Sequence, residues 1–168
     1  PRFPKYPGKF TGDFLHSHDY KKAAPYKDKR VLVIGGGNSA CDVAVETSRI
    51  SKNTTISWRR GYFLIPKFMF GLTTDIFALR ARLLPKFIRL PFMKFMLELL
   101  QGKNEDIGLP KVDNHVLATH PTVNSDLYNS VRHGKVTPKP DVEKMDGKTV
   151  YFKDGTHDEY DVIIACTG

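Results

Sequence analysis

At 168 residues, with 40% of them hydrophobic, the chain has the length of one domain and enough apolar material for a core, which excludes a disordered or low-complexity polymer. The net charge of +8 suits nucleic acid, an anionic membrane or a phosphate-rich ligand, but the basic residues form no RNP, zinc-finger or homeodomain pattern, so nucleic acid is not expected as a partner. Two distant cysteines, Cys41 and Cys166, belong to no CxxC or Cys/His cluster, so neither a disulfide scaffold nor a zinc site is indicated and a reducing, cytoplasmic setting is expected.

The chain opens on Pro1 and stops at Gly168 directly after the apolar run Val162-Ile163-Ile164-Ala165, so both ends are expected to be cuts in a longer polypeptide. From Pro1 to Tyr26, Pro, Gly, aromatic and polar residues mix without a sustained period. That composition predicts an irregular arm between domains, here residues 1–28, ahead of a folded domain spanning 29–168. Lys29 to Ile34 is a short β-branched apolar run ending in Gly35-Gly36-Gly37, the pattern of a buried strand entering a tight turn. A helix is expected from about Ser39, with Ala40, Val43, Ala44 and Thr47 on one face, ending near Asn53. Thr54 to Trp58 is strand-like, so residues 29–58 read as one βαβ unit with a right-handed crossover and a parallel sheet.

Between Ile76 and Leu100 apolar residues interleave with Arg80, Arg82, Lys86, Arg89, Lys94 and Glu98, too many charges for a membrane span. Pro85 and Pro91 are expected to break the stretch into two short helical pieces, a helical insertion near 76–101. Its apolar side is expected to pack on its own domain; a lid, an interface or lipid contact is the less favoured alternative. Val116 to Thr119 reads as a strand, Val123 to His133 as a helix and Lys135 to Lys139 as an extended segment. Thr149 to Lys153 and Tyr160 to Ala165 read as two strands of a hairpin or meander about the Asp154-Gly155 turn signal. The expected fold is α/β: a Rossmann-like three-layer domain with a central parallel sheet, a β-meander or hairpin, and a helical insertion.

Gly35-x-Gly37-x-x-Ala40 follows a predicted strand and opens a predicted helix, the context that makes this spacing a dinucleotide-binding signal. Gly35 permits the tight turn, Gly37 keeps side-chain atoms away from a pyrophosphate, and Ala40 lets the helix pack closely on its strand. Free N–H groups at the helix start, with the helix dipole, offer positive potential to the pyrophosphate. Asn38 and Ser39 are placed either to bond phosphate or to cap the helix. At the end of the second strand, an NAD site presents Asp or Glu to the ribose 2′-hydroxyl, whereas a 2′-phosphate calls for Arg. This chain supplies Ser57-Trp58-Arg59-Arg60, so NADPH is expected, with Arg59 and Arg60 forking onto the phosphate and Ser57 adding a hydroxyl donor.

Upstream, Phe10-x-Gly12-x-x-x-His16-Ser17-x-x-Tyr20 resembles the F-x-G-x-x-x-H-x-x-x-[WY] fingerprint of flavin-containing and Baeyer–Villiger monooxygenases. Gly35 to Ala40 is similar to that family's NADPH-side glycine motif. His120-Pro121 through Gly134-Lys135, and Phe152-x-Asp154-Gly155-Thr156 through Thr167-Gly168, are similar as well, the last residues resembling an A-T-G segment with Cys166 inserted before Thr-Gly. The resemblance covers nearly the whole chain except the 76–100 stretch. It implies a flavoprotein oxidoreductase whose FAD sits mostly on flanking sequence, with NADPH bound by this domain and O2 as co-substrate. One oxygen atom would enter a small N- or S-containing substrate, as in N,N-dimethylaniline monooxygenase activity. The partner is then the FAD domain of the same parent chain, and the piece alone is expected to be inactive, with no catalytic residue of its own. His16, on the arm, is expected to couple rotation of this domain to flavin access. The alternatives are a Baeyer–Villiger enzyme acting on ketones and a non-catalytic NADP(H)-binding module at a membrane surface. A thioredoxin-reductase-type enzyme is a further alternative, disfavoured by the lack of a redox dithiol.

Overall fold

A computed structural model of the chain describes residues 3–69, 71–81, 83, 85–112 and 122–167. The strands in chain order are β1 (Gly8–Phe10), β2 (Asp13–His16), β3 (Arg30–Ile34), β4 (Asn53–Ser57), β5 (Leu64–Ile65), β6 (Phe68–Met69), β7 (Leu72–Thr73), β8 (Thr122–Val123), β9 (Val136–Lys139), β10 (Val142–Gly147), β11 (Thr149–Phe152), β12 (His157–Glu159) and β13 (Val162–Ala165). The helices are α1 (Asn38–Thr47), α2 (Thr74–Ala81), α3 (Lys86–Gln101) and α4 (Asp126–Arg132).

Five strands form a parallel sheet in the order β2-β13-β3-β4-β9. Its centre is buried on both faces because β3 and β13 are apolar at every position from Val31 to Ile34 and from Val162 to Ala165. Alternation divides those side chains between two cores. Val31, Val33, Val162 and Ile164 join Ala40, Val43 and Ala44 of α1 and Leu127 and Val131 of α4 on one face. Leu32, Ile34 and Ile163 join Val142, Met145, Val150 and Phe152 on the other. Each such Val, Leu or Ile contributes roughly 1.5–3 kcal/mol by leaving water, so the strand that ends at the glycine run is firmly held. The opposite layer is a second sheet, β1-β10-β11-β12, in which β10, β11 and β12 make an antiparallel meander and β1 joins in parallel. The three layers are thus helices, parallel sheet and meander.

Several expectations are corrected. The stretch 1–26 is not irregular throughout: β2 pairs with β13 and β1 with β10. Edge strands need only a neighbour's free N–H and C=O groups, so they carry no apolar alternation to read. The strand that follows the Asp154-Gly155 turn and pairs with β11 is β12, not Tyr160 to Ala165. β13 is buried at all four positions and therefore belongs in the central sheet, beside β3. Pro85 does separate α2 from α3, but α3 runs through Pro91, whose missing N–H removes one bond while Met93 and Leu97, buried against Ile65 and Met69, hold the helix down. The helix expected from Val123 starts at Asp126, because the Asn124 Oδ1 accepts the N–H groups of Asp126 and Leu127 at 2.9 and 2.8 Å. The strand expected at Val116 to Thr119 lies outside the described residues.

Candidate functional site

β3 ends at the carboxyl edge of the parallel sheet, and its successors lie on both sides of it: β4 to one side, β13 to the other. A crevice at such a reversal of strand order is where open α/β sheets take ligands. Here Gly35, Gly36 and Gly37 turn the chain from β3 into α1. Gly35 has φ of 139°, and a Cβ on it would come within 2.6 Å of the Cys166 carbonyl oxygen, so the turn is tight against the end of β13. Its N–H donates to the Ser57 carbonyl at 3.0 Å. Gly36 lies under the Tyr62 ring, 2.1 Å from where its Cβ would be. Gly37 is exposed, with no atom within 4 Å of its would-be Cβ, and it is the N-cap of α1. Ala40 is fully buried and lets α1 approach β3. The first N–H groups of a helix such as α1 have no intrahelical acceptor, and the positive end of the helix dipole lies at them.

In front of this turn lies a cavity of about 340 Å³, lined on the sheet side by Ile34, Gly35, Gly36, Ser57, Arg59 and Thr167. Phe3, Tyr6, Tyr62 and Asp141 close its other sides. Arg59 is exposed and lines this cavity. Arg60 instead turns to Tyr62: its guanidinium lies 5.4 Å from the ring centroid and its Nε donates to the phenol oxygen at 3.4 Å. Ser57 is buried, and its hydroxyl donates to the Pro140 carbonyl at 2.7 Å, so it ties β4 to the end of β9 and is not an open donor. Asn38 does not cap the helix; its Oδ1 accepts the Val123 N–H at 2.7 Å, because β8 runs directly past the helix start. Ser39 is exposed on the first turn of α1.

Four further residues shape the site without a sequence signal. Tyr62 covers Gly36 and packs edge-on against the buried Trp58 at 5.4 Å. Thr122 donates its hydroxyl to the Gly36 carbonyl at 3.0 Å. Tyr6 donates its phenol to Asp141 at 3.2 Å, and burial together with the Asp141 carboxylate pushes that phenol well above its ordinary pKa. Asp141, on the cavity wall, also pairs with Lys153 at 2.8 Å, which offsets its charge. Burial also pushes the Cys166 thiol up to about 12 and the Cys41 thiol up as well, so neither is a thiolate at neutral pH.

His16 of the fingerprint is buried at the end of β2. Its Nδ1 accepts the His18 N–H at 3.2 Å, which leaves the ring proton on Nε2 to donate to the Thr167 carbonyl at 2.9 Å. The histidine therefore fastens the arm to the segment that follows β13, beside the cavity.

The chain matches the family model described as flavin-binding monooxygenase-like over residues 2–168. It is 36% identical over 173 residues to flavin-containing monooxygenase 5 of Mus musculus, covering 97% of this chain and 32% of that protein. To dimethylaniline monooxygenase [N-oxide-forming] 2 of Oryctolagus cuniculus it is 33% identical over 183 residues, covering 100% of this chain and 33% of that protein. The chain thus spans about a third of the length of these relatives. Among solved structures, a cyclohexanone monooxygenase from Rhodococcus sp. Phi1 bound to NADP+ superposes with a TM-score of 0.69 at 16% identity, over 100% of this chain and 44% of that one. A flavin-containing monooxygenase from Stenotrophomonas maltophilia superposes with a TM-score of 0.63 at 20% identity, over 99% and 38%. Those two likenesses concern the fold; the match in sequence runs through both the fingerprint and the glycine turn, and by it this chain belongs to the flavin-binding monooxygenase-like family.

Proposed function

We propose that this chain is the NADPH-binding part of an FAD-dependent monooxygenase, with residues 1–28 as the arm between domains and 29–168 as the nucleotide domain. The observation that carries the reading is the strand–glycine–helix junction facing a cavity of about 340 Å³, with Arg59 on its wall at the end of β4. That volume lies within the range of small-molecule sites, roughly 300–1,000 Å³. Gly37 leaves room for a pyrophosphate to reach the N–H groups of α1, and Gly35 and Ala40 allow the turn and helix to sit close enough to present them. Arg59 then meets the 2′-phosphate. Arg60 braces Tyr62, and Asn38 and Ser57 hold the loop and strand ends in place. Bound NADPH supplies a hydride to the flavin of the same parent chain. Oxygenation of a small N- or S-containing substrate, rather than a ketone, is supported by the sequence relatives, one of which bears the name dimethylaniline monooxygenase.

Arg59→Ala in the full-length parent tests the assignment. A charge-assisted hydrogen bond of about 1.5–3 kcal/mol predicts a rise of roughly 10- to 100-fold in the KM for NADPH, with the KM for NADH nearly unchanged. An equal effect on both carriers, or none, overturns it.

A second reading concerns the insertion. One side of the insertion packs on the domain through Met93 and Leu97, as expected, but Leu79, Leu83, Phe87, Phe95 and Leu99 on and between α2 and α3 are exposed, and Arg80, Lys86 and Lys94 lie among them. Apolar groups interleaved with cations match an anionic lipid surface.

A further inference from the structure

The segments flanking the insertion, residues 62–65 and 122–124, are distant in sequence, yet β5 and β8 pair in parallel and come back together at the glycine turn. Three successive residues there grip three positions of the loop and helix start. Thr122, 2% exposed, donates its hydroxyl to the Gly36 carbonyl at 3.0 Å. The Val123 N–H donates to the Asn38 Oδ1 at 2.7 Å. Asn124, 3% exposed, donates its Nδ2 to the Asp42 Oδ1 at 2.8 Å while its Oδ1 caps α4. From the other side the Tyr62 ring lies on Gly36, and the Tyr62 carbonyl is itself held by Asn104 Nδ2 at 3.0 Å. Three consecutive glycines have the largest backbone freedom a chain can have, so a fixed shape there has to be imposed from outside.

We infer that Thr122 to Asn124 is a positioning segment for the nicotinamide dinucleotide: it holds Gly36 to Asn38 in the shape that presents the α1 N–H groups to the pyrophosphate. The inference rests on the proposed nucleotide site, and the two are separable by which carrier is affected. The pyrophosphate is common to NADPH and NADH, whereas Arg59 addresses the 2′-phosphate alone.

The test uses the full-length, FAD-loaded enzyme. Thr122→Val removes the hydroxyl at constant shape; losing one buried hydrogen bond to the loop predicts a rise of about five- to tenfold in KM for NADPH and for NADH alike, with kcat within about twofold. Thr122→Ser, which keeps the hydroxyl, restores both values. Asn124→Asp, which sets a carboxylate against Asp42, acts in the same direction and carries the test should Thr122→Val not fold. A folded Thr122→Val enzyme that melts at lower temperature yet keeps both KM values overturns the inference and leaves the nucleotide reading standing. If Arg59→Ala leaves the KM for NADPH unchanged, the nucleotide reading falls and the inference with it.

Discussion

Gly35, Gly36 and Gly37 look alike in sequence and do three different things. At Gly35 a side chain meets the Cys166 carbonyl at 2.6 Å and a positive φ, so Gly35→Ala is expected to cost roughly 2–3 kcal/mol in urea unfolding. Gly37 has φ of −83° and open space around it, so Gly37→Ala is expected to cost under about 1 kcal/mol of stability. The same change puts a methyl where the pyrophosphate would approach in the proposed site, and the KM for NADPH is expected to rise about tenfold or more. Steady-state kinetics on a normally folded Gly37→Ala enzyme would sink the nucleotide site if KM stayed put. The motif told that glycine was needed, but not that Gly36 answers to Tyr62, since that partner is placed by how the chain returns from Trp58. His16 was legible in the same partial way: the fingerprint pointed to it, while its hold on Thr167 depends on β2 pairing beside β13.

At the scale of elements, the ends of β3 and β13 remote from the site are clasped by Arg30 and Asp161. The Asp161 carboxylate accepts from the Arg30 backbone N–H at 3.0 Å, from its guanidinium at 3.3 Å and from Lys148 at 3.2 Å. Those bonds, the Arg30 side chain first, hold its pKa well below the usual carboxylate range. With the folded pKa depressed, the stabilisation is fully present above the unfolded value of about 3.9 and is lost as pH falls toward the folded one. Asp161→Asn is therefore expected to lower stability at pH 7 by on the order of 2 kcal/mol and to flatten the loss of stability between about pH 5 and 2. Thermal melts across that window check it; a variant as acid-sensitive as the parent would contradict the role. The βαβ unit was readable because β3, α1 and β4 each carry a complete local pattern. β2 and β12 were not, because an edge strand is defined by its neighbour rather than by its own residues.

At the scale of the whole molecule, the cavity at the glycine turn lies at one edge of the sheet, and the helical insertion rises from strands that pack on the same loop. Its outer surface is apolar and basic: Leu83 is 89% and Phe87 77% exposed, with Lys86 and Lys94 close in sequence. No helix among the described residues is long and apolar enough to cross a membrane. The full-length enzyme is expected to sediment with phosphatidylserine vesicles at low salt and to be released near 1 M salt, where charges are screened beyond about 3 Å. Each exposed Phe entering the lipid boundary adds roughly 1.5–3 kcal/mol, so Phe87→Ser with Phe95→Ser should weaken binding by about 100-fold or more without moving the melting temperature. Absence of sedimentation would retire the lipid reading.

The residues alone determined the elements that carry their own period: β3, the glycine turn, α1 and β4. Those signals are local, because a strand buried on both faces and a helix with one apolar stripe each announce themselves within a few residues. What only the folded chain decided was partnership. Which arginine faces the cavity, why Ser57 and Asn38 are already engaged, and which distant segment disciplines the glycines all follow from contacts between residues up to 86 positions apart, as Gly36 and Thr122 are. Such pairings arise from sheet order and the return path of the chain, and neither leaves a spacing in the sequence to be read.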